Sequence, residues 1–398
     1  WLPARLRFGL GILLHGGFPW ATRPAAGTPP AAALIRRHGR AALLRPFPRP
    51  LRPVAALLMA CIWPLQSLRE ARHSLGQLAP GAFPGQSRTG LLRAAWRAAL
   101  RHNVPPFEYF AYRQPELPDI PPDAWIYQAE MSWLLRALAR PAALRLAADK
   151  HAFARFCADA GLAGVPTLGR IGAGLDSPEP GTDRVVIKPR EGANARQITL
   201  WARAGAAWRP AGSGDGEALD WPALTRTIRG TARGEMLVQP ALARHRAIAH
   251  LTGCPTARIN TGVRPDGATE PLTAIFATPP EGAVASNGGE RRMVDLANGQ
   301  LLPMGPGRAH SIFGNTHECA ALDGLALPDW GRALEMVLAG HRAFPPRAVL
   351  LGWDVAFTPE GPVLIEVNMG LSLYLEQWES QTPAGTQPAA DLIAAWLE

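Results

Sequence analysis

The sequence predicts an α+β fold that is preceded by a mainly helical N-terminal region. The chain has 398 residues, 47% of them hydrophobic, which is enough for two or three domains with real cores. Residues 1–148 carry apolar side chains at helical spacing, whereas short β-branched runs between Gly, Pro and Asn signals follow from about residue 165. These runs do not alternate with helices in a βαβα rhythm, so we predict largely antiparallel sheets.

The N-terminal region is strongly basic. It holds 19 arginines, no lysine and six acidic residues, whereas residues 149–398 hold 22 cations and 26 acidic residues. This asymmetry indicates an anionic partner, namely a membrane surface, a phospholipid, a polyphosphate or a nucleic acid, or else only an arginine-rich solvated surface. A Pro-rich aromatic segment, 105–123, is predicted to pack inside this region. Helical spacing predicts helices over 54–74, 89–102 and 124–140.

The most apolar run of the chain is 53–68, flanked by Arg52 and Arg69. It is shorter than the roughly 20 residues that a membrane span needs, and Pro64 interrupts it. We therefore predict a core helix or an interfacial helix here rather than a transmembrane helix.

The mixed part of the chain begins with a predicted helix at 149–160, where Phe153, Phe156 and Cys157 share one face. An Asn-Gly hairpin at 294–302 and an amphipathic helix at 329–344 are also predicted. The β-like runs are 165–171, 184–189, 197–203, 235–242, 256–263 and 271–278.

The last predicted hairpin, LGWDVAFTPEGPVLIEVN at 351–368, carries polar residues among apolar ones. A three-residue loop centred on Glu360 pairs Asp354 with Glu366, and Asn368 then lies on the same face. Opposed carboxylates repel each other, so a cation is expected between them, and two carboxylates with an amide oxygen suit Mg²⁺. The alternatives are a solvated face, or a two-residue loop that turns Asp354 to the opposite face.

Only two of the 41 cationic side chains are lysines, Lys150 and Lys188. An ammonium that acts as a point charge in a tight phosphate site is not replaceable by a planar guanidinium, so both are candidate phosphate ligands, unless they are chance survivors. Lys188 ends a strand before a small-residue loop with Arg190, Gly192 and Asn194, whose backbone N–H groups could cradle phosphate oxygens.

Several familiar signatures are missing from the sequence. It contains no P-loop, no convincing G-x-G-x-x-G, no nucleophile elbow and no H-E-x-x-H motif. The cysteines are scattered without a CxxC pair, which argues against a zinc site or a disulfide framework and favours a reducing compartment. We therefore expect a cytoplasmic protein, or one bound peripherally to the inner face of a membrane. Four histidines show no ligand spacing and are predicted to be structural or solvated: His245, His250, His310 and His317.

Six fragments in this order resemble an ATP-grasp enzyme and are most similar to the sugar-transfer-associated ATP-grasp family. The fragments are NVPPFEYFAYR, DKHAFARFCADAGLAGVPTLG, VVIKPREGANARQ, LVQPALARH, TARINTG and LGWDVAFTPEGPVLIEVN. The resemblance implies an ATP-grasp fold in which two α+β lobes clasp ATP. It divides the chain into the helical region 1–148, a smaller lid lobe at 149–236 and a larger lobe with the Mg²⁺ site at 237–398.

The resemblance also implies roles for individual residues. Lys150 and Lys188 would hold the phosphates of ATP, and Arg258 would stabilise the transferred phosphoryl group or grip a substrate carboxylate, which makes Lys188 and Arg258 the catalytic candidates. Asn287 is a weaker candidate, because its Ser-Asn-Gly-Gly context is equally typical of a plain turn. A hinge strand would read the adenine edge through Val238, Gln239 and Pro240, and one or two Mg²⁺ would be bound by Asp354, Glu366 and Asn368.

Three functions are compatible with these residues. The first is a Mg-ATP-dependent ligase that joins a small-molecule carboxylate to an amine, a sugar-linked acceptor or another nucleophile. The resemblance associates such a ligase with cell-surface polysaccharide or glycoconjugate synthesis. The second is a kinase for a sugar or polyol hydroxyl, and the third is a non-catalytic nucleotide-binding protein at an anionic membrane surface. No specific nucleic-acid partner is expected.

Overall fold

The predicted α+β fold class is confirmed. The computed structural model describes residues 16–20, 23–175, 177–192, 197–211, 217–280, 289–303, 322–345, 348–369, 371 and 373–398. In these residues, a helical region leads into two antiparallel sheets of five strands each. The cleft between the two sheets contains most of the residues that the sequence singles out.

The helical region has an aromatic core. The Tyr112 and Trp125 rings stack with centroids 4.8 Å apart, and Phe110 is fully buried beside them, so the segment 105–123 is packed as predicted. The helices are α1 (Pro30–Leu43), α2 (Arg52–Gln77), α3 (Arg88–His102), α4 (Pro106–Ala111), α5 (Gln128–Leu138) and α6 (Pro141–Ala148).

The apolar run at 53–68 belongs to a longer helix than the sequence suggested. Helix α2 has 26 residues and continues past Pro64 through the polar segment 69–77. Together with the short 3-10 turn Arg49–Leu51 that precedes it, α2 is the one helix among the described residues that is long and apolar enough to cross a membrane. The helix thus has the length and composition of a span, while one face of α2 is packed against the protein, as a core or interfacial helix requires.

Some of the basic N-terminal charge is internal. Arg36 and Arg40 are buried and both donate to the fully buried Glu130, with N–O distances of 3.1 and 2.9 Å. Arg36 also pairs with Asp123. The predicted alternatives of an anionic partner or a solvated surface thus do not apply to these two arginines, which join α1 to α5.

The first lobe consists of β1 to β5 and α8, with the strand order β1-β5-β2-β3-β4. Its apolar core includes Ile187, Trp208 and Trp221. The elements are β1 (Gly169–Ile171), β2 (Arg184–Pro189), β3 (Thr199–Ala204), β4 (Ala207–Pro210), α8 (Trp221–Thr231) and β5 (Met236–Pro240).

The second lobe consists of α7, β6 to β10 and α9, with the strand order β10-β9-β6-β7-β8. One face of its sheet is covered by α7 and α9, where Trp353 packs near Phe153 and Phe344. The elements are α7 (Lys150–Asp159), β6 (Thr256–Val263), β7 (Thr269–Ala277), β8 (Arg291–Met293), α9 (Trp330–Ala343), β9 (Leu350–Thr358) and β10 (Gly361–Asn368).

Two predicted domain boundaries fall inside packed units. The boundary after residue 236 cuts strand β5, which is hydrogen-bonded to β1 and β2 of the first lobe. Helix α7, which was assigned to the smaller lobe, buries Phe153 and Cys157 in the core of the second lobe. The chain ends in α10 (Leu373–Ser380) and α11 (Pro388–Ala395), which pack between the second lobe and the helical region.

Candidate active site

The last hairpin has the predicted register but not the predicted turn. Thr358 pairs with Gly361, so the loop contains only two residues, Pro359 and Glu360. The register then shifts at a bulge between Leu364 and Glu366, and from this point the pairs are those that a three-residue loop gives. The bulge is therefore what brings Glu366 opposite Asp354.

The polar residues of this hairpin form one group. The Asn368 side-chain amide lies 3.3 Å from Asp354 Oδ2 and 3.4 Å from Glu366 Oε1, which confirms that the three side chains share a face. Burial raises the pKa of Glu366, and the neighbouring Asp354 carboxylate raises it further, while Lys150 and Lys188 partly oppose this. Glu366 therefore holds its proton to higher pH in the folded protein than in water.

Arg258 is the cationic neighbour of Asp354. The two residues are paired across β6 and β9, and the guanidinium meets the carboxylate with two nitrogens, Nη2 lying 2.8 Å from Oδ2. Such a bidentate pair fixes the plane of the guanidinium. Arg258 is therefore held at the carboxylates, and its expected contact with a phosphoryl group or a substrate carboxylate stays a prediction.

Lys150 reaches the carboxylate pair from the start of α7. The Asp149 side chain caps this helix by accepting from His151 N and Ala152 N. The Lys150 ammonium lies 3.8 Å from Glu366 Oε2 and donates to the Gly192 carbonyl at 2.7 Å. Lys150 thus connects the loop after β2 with the last hairpin.

Lys188 lies at the end of β2 on the opposite wall of the cleft and is buried. Burial lowers the pKa of its ammonium to about 8, because the raising effects of Glu366 and Asp354 do not fully offset the loss of water and the repulsion by Lys150. A buried ammonium with this little compensation favours an additional anion nearby.

Arg190 and Gly192 play supporting parts in the structure. The Arg190 guanidinium pairs with Asp149 through Nε and Nη2 and with Glu235 through Nη1, so it fixes the start of α7 and hence Lys150. Gly192 has a positive φ of 120°, a conformation that favours glycine. The predicted phosphate contacts of both residues stay predictions, and Asn194 lies outside the described residues.

Strand β5, the predicted hinge, is only partly exposed to the cleft. Val238 is buried in the core of the first lobe, and its carbonyl accepts from Leu168 N at 2.8 Å. Gln239 lines the cleft but donates its amide to the Val165 carbonyl at 3.1 Å. The strand therefore lines the cleft at Met236, Gln239 and Pro240 and not at Val238.

These residues surround a single cleft of about 1710 Å³ between the lobes. Except for Val238, every predicted site residue that the structure describes lines it. The lining residues are Lys150, Lys188, Arg190, Gly192, Gln239, Pro240, Arg258, Asp354, Glu366 and Asn368, together with Val165, Arg184, Ala241, Leu242, Arg244, Cys254 and Leu375 among others.

The sequence did not reveal a buried polar cluster beside Arg258. Asn260, two residues along the same face of β6, donates to Thr273 Oγ1 at 2.8 Å and also to Glu376 of α10. Burial raises the pKa of Glu376 to about 7. Strand alternation could have placed Asn260 on this face, but no sequence signal brings Glu376 there from a separate helix.

Among the histidines that the structure describes, His341 and His245 have structural contacts and His250 is exposed. His341 is buried between Thr261 Oγ1 and the Ala348 carbonyl, and burial lowers its pKa to about 4. His245 Nδ1 accepts from Ala247 N in a short turn. His310, His317 and Asn287 lie outside the described residues.

The donor chemistry fits a hard cation such as Mg²⁺. In the part of the chain that the structure describes, no group of three or more His, Cys, Asp or Glu residues converges on one point. A metal here would instead take oxygens from Asp354, Glu366 and Asn368, with water and phosphate oxygens completing its shell. The two carboxylates and the amide lie together on one cleft wall, which is consistent with this set.

Among known proteins, the chain shows similarity only to solved structures. No family model matches the chain, and no curated protein matches it. An L-amino acid ligase from Bacillus licheniformis aligns over 64% of this chain and 49% of its own, with 11% identity and a TM-score of 0.37. D-Alanine-D-Alanine ligase from Helicobacter pylori aligns over 63% and 60%, with 10% identity and a TM-score of 0.36.

A putative ATP-grasp superfamily protein from Archaeoglobus fulgidus is similar at the same level. It aligns over 63% of this chain and 54% of its own, with 11% identity and a TM-score of 0.33. The aligned part thus spans about half to three fifths of these three proteins.

Proposed function

We propose that the chain is an ATP-grasp enzyme, a Mg-ATP-dependent ligase that activates a carboxylate as an acyl phosphate and transfers the acyl group to an amine or another nucleophile. The observation that carries this proposal is the convergence of the chain's only two lysines on the carboxylate pair. Lys150 lies 3.8 Å from Glu366, and both carboxylates act on the pKa of Lys188 across the cleft.

In this proposal the protein acts through position and charge rather than through a nucleophile. Lys150 and Lys188 bind the phosphates of ATP, and a Mg²⁺ ion held by Asp354, Glu366 and Asn368 supplies charge neutralisation when it is bound. Arg258, fixed by Asp354, binds the substrate carboxylate or the phosphoryl group that moves to it. Alignment of the carboxylate with the triphosphate is then the main contribution of the cleft.

The division into lobes follows from the same proposal. The first lobe is the lid, and β5 with the following residues 241–244 is the hinge that reads the adenine edge. We propose a cytoplasmic enzyme of the sugar-transfer-associated family, acting on a small carboxylate and an amine or sugar-linked acceptor in polysaccharide or glycoconjugate synthesis. The basic helical region would hold it at the anionic inner face of the membrane.

The test is a screen of amino acids and sugar acids for substrate-stimulated release of ADP and phosphate in the presence of Mg²⁺. A ligase releases free phosphate together with an amide or ester product. Release of ADP without phosphate, with a phosphorylated sugar or polyol, would identify a kinase instead. Binding of ATP without turnover on any substrate would favour the non-catalytic function.

The variants for this screen are matched within one hairpin. Asp354→Asn removes one carboxylate from the cleft, whereas Glu360→Gln removes one from the exposed turn only six residues away. We expect Asp354→Asn to abolish turnover and Glu360→Gln to retain it. Full turnover by Asp354→Asn would refute the assignment of this carboxylate to the metal.

A further inference from the structure

Helix α2 and the turn before it expose a continuous apolar stripe. Its members recur along one face of the helix, with Leu57 and Leu65 exposed by 66% and 74%. Half of the exposed large hydrophobic residues in the described chain lie between residues 51 and 65. We define the α2 stripe as Leu51, Val54, Leu57, Leu58, Cys61 and Leu65.

The opposite face of α2 is fixed against the protein. Met59 and Trp63 are buried there, and Trp63 Nε1 donates to the Ala99 carbonyl of α3 at 3.1 Å. In return, Trp96 Nε1 of α3 donates to the Pro64 carbonyl at 2.9 Å. Because these contacts hold both helices, α2 cannot rotate its stripe inward, and the stripe is presented as a rigid surface.

The charge around the stripe has one sign. The arginines near its two ends are exposed, Arg45 and Arg49 before it and Arg69 and Arg72 after it. No acidic residue precedes Glu70 in the chain, and Glu70 points away from the stripe to accept from Phe107 N of α4. An apolar stripe between cationic ends, without acidic residues, complements an anionic lipid surface.

We propose that the α2 stripe docks the protein on an anionic bilayer, with α2 in the plane of the headgroups. An in-plane position is favoured over a span because only one face of α2 is apolar and free, while the other holds Trp63 and its contacts with α3. The leucines enter the boundary between headgroups and acyl chains, and the arginines extend to the lipid phosphates. This surface deepens the proposed membrane location and does not depend on the proposed chemistry.

The test is co-sedimentation of the full chain with vesicles of phosphatidylserine mixed with phosphatidylcholine, compared with vesicles of phosphatidylcholine alone. We expect binding to the anionic vesicles that weakens as salt is raised, because exposed charges are screened. The double variant Leu57→Glu/Leu65→Glu should lose at least tenfold in partitioning. The matched control is Leu302→Glu, which changes an exposed leucine of the second lobe and should bind like the original protein.

Two further measurements make the proposal refutable. Arg45→Gln/Arg49→Gln should lose roughly fivefold per arginine on anionic vesicles and nothing on neutral ones. If the stripe instead joins two copies of the chain, the leucine variant will dissociate a dimer in solution without changing vesicle binding, which would overturn the proposal. Equal binding to both vesicle types would overturn it as well.

The outcome is separable from that of the proposed enzyme function. The leucine variant keeps its cleft, so its ATP turnover in solution should equal that of the original protein. Conversely, Asp354→Asn should bind vesicles normally. Loss of vesicle binding with intact turnover therefore tests the stripe alone.

Discussion

Replacing Glu366 with Gln should stabilise the free protein and at the same time remove its response to Mg-ATP. Opposed carboxylates about 5 Å apart repel by roughly 3 kcal/mol at an effective dielectric constant of about 20. The Lys150 ammonium, 3.8 Å from Glu366, offsets this by about 4 kcal/mol on the same scale. The two charge effects nearly cancel, so the cost of burying the carboxylate decides the sign.

That sign follows from the pKa of Glu366, which is raised in the folded protein. The unfolded chain loses this proton at lower pH than the folded chain, so the charged side chain lowers stability at neutral pH. The neutral, equally large amide avoids this cost, so we expect Glu366→Gln to raise the free energy of unfolding by about 0.5–2 kcal/mol, as stabilising substitutions commonly do. A residue kept at such a cost is typical of a binding site.

Urea unfolding with and without Mg-ATP measures both effects. A ligand present at about 100 times its Kd stabilises the original protein by roughly 2.7 kcal/mol. Glu366→Gln should lose most of this gain, whereas Glu360→Gln in the exposed turn should keep it. The reasoning is refuted if Glu366→Gln destabilises the free protein by more than about 1 kcal/mol, or responds to Mg-ATP as the original protein does.

Three other substitutions test separate parts of the structure. Lys188→Arg should weaken Mg-ATP binding about tenfold at pH 7, because a planar guanidinium does not replace the buried ammonium. The affinity of the original protein for Mg-ATP should also fall above pH 8, where Lys188 loses its proton, while the affinity of the variant stays level. Calorimetric titration measures both affinities. The folded protein holds the Glu376 proton up to about pH 7, so the original protein should lose about 3 kcal/mol of stability as pH rises from 4.5 to 7. Glu376→Gln should remove this loss. Unfolding at pH 5 and pH 8 measures it, and parallel pH profiles of the two proteins would contradict it. Glu130→Ala should cost about 3–5 kcal/mol because it leaves the buried Arg40 guanidinium without its carboxylate, whereas Glu116→Ala on the surface should cost under about 1 kcal/mol in the same unfolding assay.

The sequence predicted the site best where short-range rules apply. Alternation along a strand and the pairing of a hairpin are local, so Asp354, Glu366 and Asn368 could be assigned to one face without a structure. The turn could not be assigned in the same way, because Pro359-Glu360-Gly361 suits both loop lengths. The bulge before Glu366 restores the register, and bulges depend on packing that the local sequence does not contain.

The rarity of lysine in the sequence also indicated residues that line the cleft, for a different reason. A surface cation tolerates replacement by arginine, but an ammonium in a tight site does not, so both lysines line the cleft. Arginines carry no such information. The structure pairs Arg190 with Asp149 and Glu235, partners that come from separate elements, while its phosphate contact stays a prediction.

The part that sequence reasoning missed most completely is the connection between the helical region and the cleft, to which the short helix α10 contributes. In α10, Gln377 accepts from Ile126 N at 3.0 Å and donates to the Ile126 carbonyl at 2.7 Å, while the adjacent Glu376 is bonded to Asn260 beside Arg258. These contacts join residues more than a hundred positions apart, so no local pattern predicts them. Because two successive side chains of α10 bind the helical region and the polar cluster beside Arg258, a displacement of α10 at one of these contacts must strain the other. The helical region that carries the α2 stripe is therefore part of the scaffold of the cleft and not an appended anchor.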